Sequence, residues 1–277
     1  MDRKVLIKQL FDKNRESFAG FPNKRQAEEF INGLFHLLFT PYHGCYANEN
    51  EVEIAFEKLE IEFIHLLEAT IASDEERDQL RLRFFHKLPE LYHHCLKDAE
   101  AILQFDPAAF SLEEILITYP GFFATAVYRI AHWLWELNVP VLPRLFTEFA
   151  HRQTGIDIHP GAEIGEAFAI DHGTGIVIGE TTVIGNSVKI YQGVTLGALN
   201  VAKSNANKKR HPTIQDHVVI YSGATILGGD TVVGSNSIIG GNVWLTYSVP
   251  AHSVVYQLSE VKIRDKNPFP EPINFSI

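Results

Sequence analysis

The sequence predicts an α + β protein: an all-helical domain over residues 1–153, a parallel β-helix over 154–252, and a flexible tail over 253–277. Three observations predict it. Apolar residues in the first half recur at threes and fours, as in Phe56, Leu59, Phe63, Leu66 and Leu67, which is the helical period. From Ile156 to Pro250 an aliphatic residue returns every six positions, the signature of a parallel β-helix. Pro268, Pro270 and Pro272 then keep the last stretch extended.

In the helical half, breaks are expected at Pro22, between Pro41 and Asn50, near Ser73, at Pro89, Pro107, Pro120-Gly121 and Val139-Pro140, which divides the segment into six to eight helices. Ser73 with Glu76, and Ser111 with Glu114, read as capping boxes. The stretch Gly121 to Leu137 is apolar nearly all round, so it is expected to be buried on several sides or to lie between subunits. His132 within it reads as structural, and His86, His93 and His94 read as surface or core residues rather than ligands.

The repeat heads in the second half are Ile158, Ile164, Ile170, Ile178, Ile184, Ile190, Leu196, Ile214, Ile220 and Ile226, then, slipped by one, Leu227, Val233, Ile239 and Leu245. Three hexapeptides make one triangular coil, with heads stacked inside and glycine relieving the corners. Two interruptions stand out: the eight-residue step from Ile170 to Ile178 across Asp171-His172-Gly173-Thr174-Gly175, and the break from Ala198 to Pro212. Irregular positions on a rigid scaffold are where chemistry concentrates. The repeat is read as stopping at Val249-Pro250.

A formal net charge of −10 argues against nucleic acid and anionic membranes as partners. Cys45 and Cys95 show no metal-binding spacing and read as free thiols, which suits a reducing cytoplasm. Met1 to Leu10 lacks the apolar run of a signal peptide, and no stretch is long enough for a membrane span.

Asp157 and His172 lie slightly less than one coil apart, so both fall near one corner on adjacent coils. Spacing leaves two arrangements open: a carboxylate holding an imidazole for general-base work, or two side chains facing water from separate turns. His159 and His217 have no such companion.

These residues carry a specific resemblance. Asp157-Ile158-His159-Pro160, the run from Ile170 through Asp171-His172-Gly173-Thr174-Gly175 to Thr181, Gly193 to Gly197, and Arg210-His211-Pro212 closely resemble the serine acetyltransferase family. The match reaches back to Tyr128–Trp135 and Asp106-Pro107, covering most of the chain from Asp106 to Pro250. The resemblance implies a left-handed parallel β-helix and transfer of acetyl from acetyl-CoA to L-serine in cysteine biosynthesis, with no metal or prosthetic group. By the family's pattern His172 is the general base and Asp157 its partner. Asp106 and Asp171 match groups for the substrate's ammonium, and Arg210 and His211 match groups for its carboxylate. Thr195, Gly197, Ala198, Gly223, Ala224 and Gly241 match the path of CoA. L-cysteine is implied as a feedback inhibitor, and a homotrimer, or a dimer of trimers joined through the helical half, as the assembly.

The sequence departs from the family's usual pattern in the long basic loop Ala198 to Arg210 and in Tyr256-Gln257-Leu258-Ser259 after the coil. Lys203, Lys208 and Lys209 could face the phosphates of CoA, although a solvated lysine cluster is the simpler reading. A hexapeptide acyltransferase for another amino acid or an amino sugar is the alternative enzyme. A γ-type carbonic anhydrase would need three histidines converging on zinc across a subunit interface, for which His172, His211 and His217 could be counted, although their neighbours do not resemble that family. The tail reads either as a frayed terminus or, through Ile277 and its carboxylate, as a segment captured by O-acetylserine sulfhydrylase.

Overall fold

A computed structural model describes residues 2–17, 20–41, 45–199 and 208–258. Most of the long basic loop, including Lys203, and the tail with its expected partner lie outside the described residues. Among the described residues seven helices come first: α1 (Arg3–Ser17), α2 (Lys24–Phe39), α3 (Glu49–Glu68), α4 (Asp74–Phe105), α5 (Leu112–Thr118), α6 (Pro120–Glu136) and α7 (Leu142–Thr154). The Ser73 and Ser111 hydroxyls accept the backbone N–H groups of Glu76 and Glu114 at 3.3 and 3.2 Å, the serine half of each expected capping box, while Glu114 accepts from the Phe110 N–H at 2.7 Å, one residue before the cap.

The break expected at Pro89 does not occur. Helix α4 runs straight through it for 32 residues. A mid-helix proline removes one hydrogen bond and crowds the preceding turn. Here Pro89 lies on the exposed face, while Phe84, Leu88, Leu91 and Cys95 anchor the opposite face in the core on both sides of the defect. Tertiary burial outweighs the local penalty.

Fourteen short strands follow among the described residues, all parallel and arranged as the three walls of a β-helix. The first wall stacks β1 (Asp157–Ile158), β4 (Val177–Ile178), β7 (Thr195–Gly197), β10 (Thr225–Leu227) and β13 (Trp244–Leu245). The second holds β2 (Glu163–Ile164), β5 (Val183–Ile184), β8 (Thr213–Ile214) and β11 (Val232–Val233). The third holds β3 (Ala169–Asp171), β6 (Lys189–Tyr191), β9 (Val219–Ile220), β12 (Ile238–Ile239) and β14 (Val254–Val255). Register pairs head with head, Ile158 with Ile178, Ile170 with Ile190 and Ile190 with Ile220, so identical positions stack down the core.

Two details of the repeat differ from the sequence reading. The inward head of β10 is Ile226, fully buried, and Leu227 points outward; the extra residue before Val233 is absorbed at Gly228, whose φ of +105° only glycine adopts without strain. The repeat also does not stop at Val249. Val249 bridges Val233, and β14 pairs with β12 to continue the third wall.

Helix α6 closes the open end of the coil. Ala124 and Tyr128 share one core with Ile158, Phe168 and Ile170, and the Tyr128 hydroxyl donates to the Ala162 carbonyl at 2.5 Å. Gly121 lies so near β3 that a Cβ there would sit 2.7 Å from the Ile170 carbonyl oxygen. The helical and β parts are joined by a buried ion pair. Arg129 on α6 grips Asp98 on α4 through Nε at 2.5 Å and Nη2 at 2.8 Å, and also donates to the Ile164 and Gly165 carbonyls at 3.2 and 2.7 Å. Asp98 in turn accepts the Phe168 N–H at 2.9 Å. Burial opposes the Arg129 charge, but Asp98 beside it prevails and holds the guanidinium protonated above its ordinary range.

Asp98→Ala would leave that guanidinium buried without its counter-ion, and is expected to lower stability by about 3–5 kcal/mol in urea unfolding followed by circular dichroism. A loss under about 1 kcal/mol would show that the joint does not depend on this pair.

Candidate functional site

The eight-residue step from Ile170 to Ile178 turns the chain from the third wall into the first. His172 there has φ +60°, and Gly173 and Gly175 follow at +88° and +83°. Gly173 is enforced by packing as well, since a Cβ would meet Ile156 Cδ1 at 2.5 Å. The same left-handed conformation recurs at Ser187, His217, Asn236 and Asn242 on other turns of the coil, so at His172 it belongs to the corner geometry. The His172 side chain is 73% exposed, and its Nε2 stands 3.7 Å from Asp171 Oδ1.

Asp106 arrives from the other half of the protein. It ends α4 as the C-cap residue, its own N–H donating to the Ile102 carbonyl. Its Oδ2 accepts the Tyr119 hydroxyl at 2.7 Å and its Oδ1 the Ala108 N–H at 2.8 Å. These two donors, Tyr119 foremost, hold the Asp106 carboxyl below its usual range despite some burial, with smaller help from Lys189 and His172. The same bond pushes the Tyr119 phenol up to about 12, so it remains a donor at neutral pH.

Between the carboxylates lies a residue the sequence reading did not single out. Lys189 on β6 is buried, its ammonium 3.3 Å from Asp171 Oδ2 and 3.2 Å from the Phe105 carbonyl oxygen, next to Asp106. It lies 4.6 Å from the centre of the Tyr191 ring, which stacks on Tyr221. A lysine between Val188 and Ile190 was legible as an outward position, but its burial depends on the end of α4, which no local pattern reveals.

Asp157 reaches the same corner. Gly155 accepts from the Gly175 N–H at 2.8 Å and Asp157 donates through its N–H to the Ile176 carbonyl at 2.9 Å, fixing the strand beside the His172 turn. No hydrogen bond or ion pair joins Asp157 to His172 in this chain.

Arg210 and His211 occupy a different corner, where the first wall turns into the second. The Arg210 guanidinium pairs with Glu180. His211 Nδ1 accepts the Thr181 N–H at 3.0 Å, so the neutral ring carries its N–H on Nε2. Burial first, then the Arg210 and Lys209 charges, lower its pKa to about 4. Gly179 makes room for that ring, since a Cβ would fall 2.1 Å from its Cδ2 and Nε2. Lys209 is engaged by protein carbonyls, donating to Thr181 at 2.5 Å and Pro212 at 3.2 Å, while Lys208 is exposed.

The six residues matched to a CoA path divide between places. Gly223, Ala224 and Gly241 lie below His172 on the same edge, where Gly175, Gly193 and Gly223 stack so closely that a Cβ on either of the first two would stand 3.5 Å from the next Cα. That leaves the edge bare from Gly175 to Gly223, where the Asn242 side chain lies against it. The Ala224 methyl faces the core, so only its backbone is available. Thr195 faces outward on β7, and Gly197 and Ala198 lie at its far end, Gly197 against Leu227. His172, His211 and His217 stand on three different corners, and among the described residues no group of His, Cys, Asp or Glu is placed to hold a metal. His159, edge-on to the Trp135 ring and accepting the Gly161 N–H, is structural. Among the described residues no helix is long and apolar enough to cross a membrane.

A parallel β-helix of hexapeptide coils carrying one imidazole and two carboxylates on an edge defines the class of hexapeptide-repeat acyltransferases. No family model matches the chain. A solved structure of serine acetyltransferase isoform 3 from Entamoeba histolytica, in complex with cysteine, superposes with a TM-score of 0.77 at 32% identity over 94% of each chain. A Neisseria gonorrhoeae serine acetyltransferase in complex with serine gives 0.59 at 25% identity over 86% of this chain and 96% of that one. In sequence, a serine acetyltransferase of Synechococcus elongatus is 50% identical over 198 residues, 70% of this chain and 61% of the relative's length. One from Mycobacterium tuberculosis is 47% identical over 126 residues, 53% of its length, so the chain spans little more than half of the curated relatives it matches. The chain belongs to the serine acetyltransferase family.

His211 gives this site a pH signature. The unfolded chain binds the imidazole proton near 6.5 and the folded protein only near 4, so this contribution to stability is fully present above 6.5 and is lost as pH falls towards 4. Gly179→Ala displaces the ring from the Thr181 N–H into water. The drop in urea midpoint between pH 7 and pH 4.5 is therefore expected to be smaller in this variant; an unchanged drop would remove His211 from the acid response.

Proposed function

We propose that the protein transfers the acetyl group of acetyl-CoA to the hydroxyl of L-serine, yielding O-acetyl-L-serine and CoA. The observation that carries this reading is the convergence of Asp106 from α4 and Asp171 from β3 beside the exposed imidazole of His172. Two carboxylates can hold an amino acid's ammonium while the imidazole addresses its hydroxyl. His172 takes the hydroxyl proton as the oxygen attacks the thioester carbonyl; the new C–O bond forms, the C–S bond breaks, and the imidazolium returns the proton to the departing thiolate. Asp157, at the same corner, is assigned to orient and stabilise the imidazolium. The pantetheine arm is assigned to the glycine edge below His172, where backbone can be approached closely.

Arg210 and His211 are assigned to the substrate carboxylate. Because they stand one corner away from His172 in a single chain, this assignment places each site between two chains, closed around a threefold axis. The helical half is assigned to join two such trimers. L-cysteine has serine's ammonium and carboxylate with a thiol for the hydroxyl, so it is assigned to the same site as a competing inhibitor.

CoA release by the purified protein is expected with L-serine, and much less with L-homoserine or glucosamine. His172→Ala is expected to lower kcat at least about a hundredfold with an unchanged circular dichroism spectrum. A fully active variant would refute the assignment of the base.

Arg210→Ala is expected to raise KM for serine far more than KM for acetyl-CoA. Co-expressed His172→Ala and Arg210→Ala chains should recover up to about a quarter of native activity, the share of sites drawing one intact half from each chain in random assembly. No recovery in a sedimenting trimer would mean that each site is built from one chain.

A further inference from the structure

We infer that Lys189 is a positioning residue: its buried ammonium orients Asp171 and offsets part of the carboxylate charge gathered around His172, keeping the imidazole available as a base at neutral pH. The geometry is specific. Lys189 Nζ takes Asp171 Oδ2 at 3.3 Å, which turns Oδ1 towards His172 Nε2 at 3.7 Å. Its second hold, on the Phe105 carbonyl at 3.2 Å, fixes it to the end of α4 and so to Asp106.

The charge inventory explains why a cation belongs there. Around the His172 corner stand Asp171 on β3, Asp157 on β1, Asp106 at the end of α4, Tyr119 before α6, and Lys189 with Tyr191 on β6. Tyr119 donates its hydroxyl to Asp106, and the corner otherwise holds three carboxyl groups and one lysine. Among the described residues, Lys189 is the one lysine or arginine paired with either Asp106 or Asp171. Uncompensated, three carboxylates would favour the imidazolium, and a protonated ring cannot accept the substrate's hydroxyl proton. They would also disfavour one another's ionisation, weakening the grip on an ammonium. The Tyr191 and Phe105 rings beside the lysine favour its charged form by presenting their faces to it.

The kinetic arm of the test rests on the acyl transfer proposed above; the spectroscopic arm does not. In the full-length protein, Lys189→Met and Lys189→Gln are expected to move the acid limb of log kcat/KM for serine upward by roughly one pH unit, with KM for acetyl-CoA unchanged. Lys189→Arg, which keeps the charge, is expected to restore most of the native profile. A uniform loss at every pH, without movement of the limb, would overturn the inference and leave Lys189 a packing residue. Should the native protein release no CoA with serine, the function reading fails, and the inference is still read from the His172 ring resonance, assigned by its disappearance in His172→Ala. Its titration midpoint is expected to rise in Lys189→Met and Lys189→Gln but not in Lys189→Arg; an equal midpoint in all four proteins would overturn it. If Lys189→Met does not fold, Lys189→Gln, which can still donate to the Phe105 carbonyl, gives the same reading.

Discussion

The buried pair between Asp98 and Arg129 is the constraint on which the site depends. One guanidinium satisfies a carboxylate on α4 and two carbonyls at the corner between β2 and β3, and the carboxylate accepts the N–H of Phe168 in the same corner. A pair this deeply desolvated gives little net stability over an apolar replacement, but breaking one half of it is expensive. Its consequence is geometric. With α4 fixed to the first coil at Asp98, the rigid helix delivers Asp106, two turns further on, to the edge where Asp171 and His172 stand.

From that joint the electrostatics follow in sequence. Asp106 is kept ionised by Tyr119 and Ala108, Asp171 is held by Lys189, and Lys189 is held by the carbonyl preceding Asp106. Of these three charges only Lys189 is held from the opposite half of the protein, through the Phe105 carbonyl; Asp106 and Asp171 are each held by donors from their own half. His211, on the next corner, is treated in the opposite way: burial and two neighbouring cations keep it neutral, as suits an N–H donor beside an arginine already paired with Glu180.

The coil itself explains why chemistry is confined to its corners. Heads and the residues four places on fill the interior, as Ile184 with Val188 and Ile214 with Val218 show, so the walls have no freedom to carry function inward. Extra residues can be accommodated only at a turn. Besides the break from Ala198 to Pro212, one such insertion, at Gly228, relieves a shift of register, and another makes the turn that exposes the His172 imidazole.

Much of this was legible in the chain. The period of six determined the parallel coil because only a stacked triangular turn gives every sixth residue the same environment, and the Ile170 to Ile178 irregularity marked the His172 corner for the same reason. Spacing placed Asp157 at the His172 corner, whereas the roles expected of Asp106, Asp171, Arg210 and His211 came from a family resemblance, not from periodicity. Tertiary structure alone decided the rest. Pro89 stays helical because burial on both sides outweighs one lost hydrogen bond, and Leu227 turns outward because Gly228 absorbs a residue. Lys189 becomes a buried ammonium only because α4 ends above it, and Arg210 falls one corner away from His172 because the coil has three walls. A repeat reports the environment each position shares with its equivalents one coil away; it carries no information about what a distant helix lays over them.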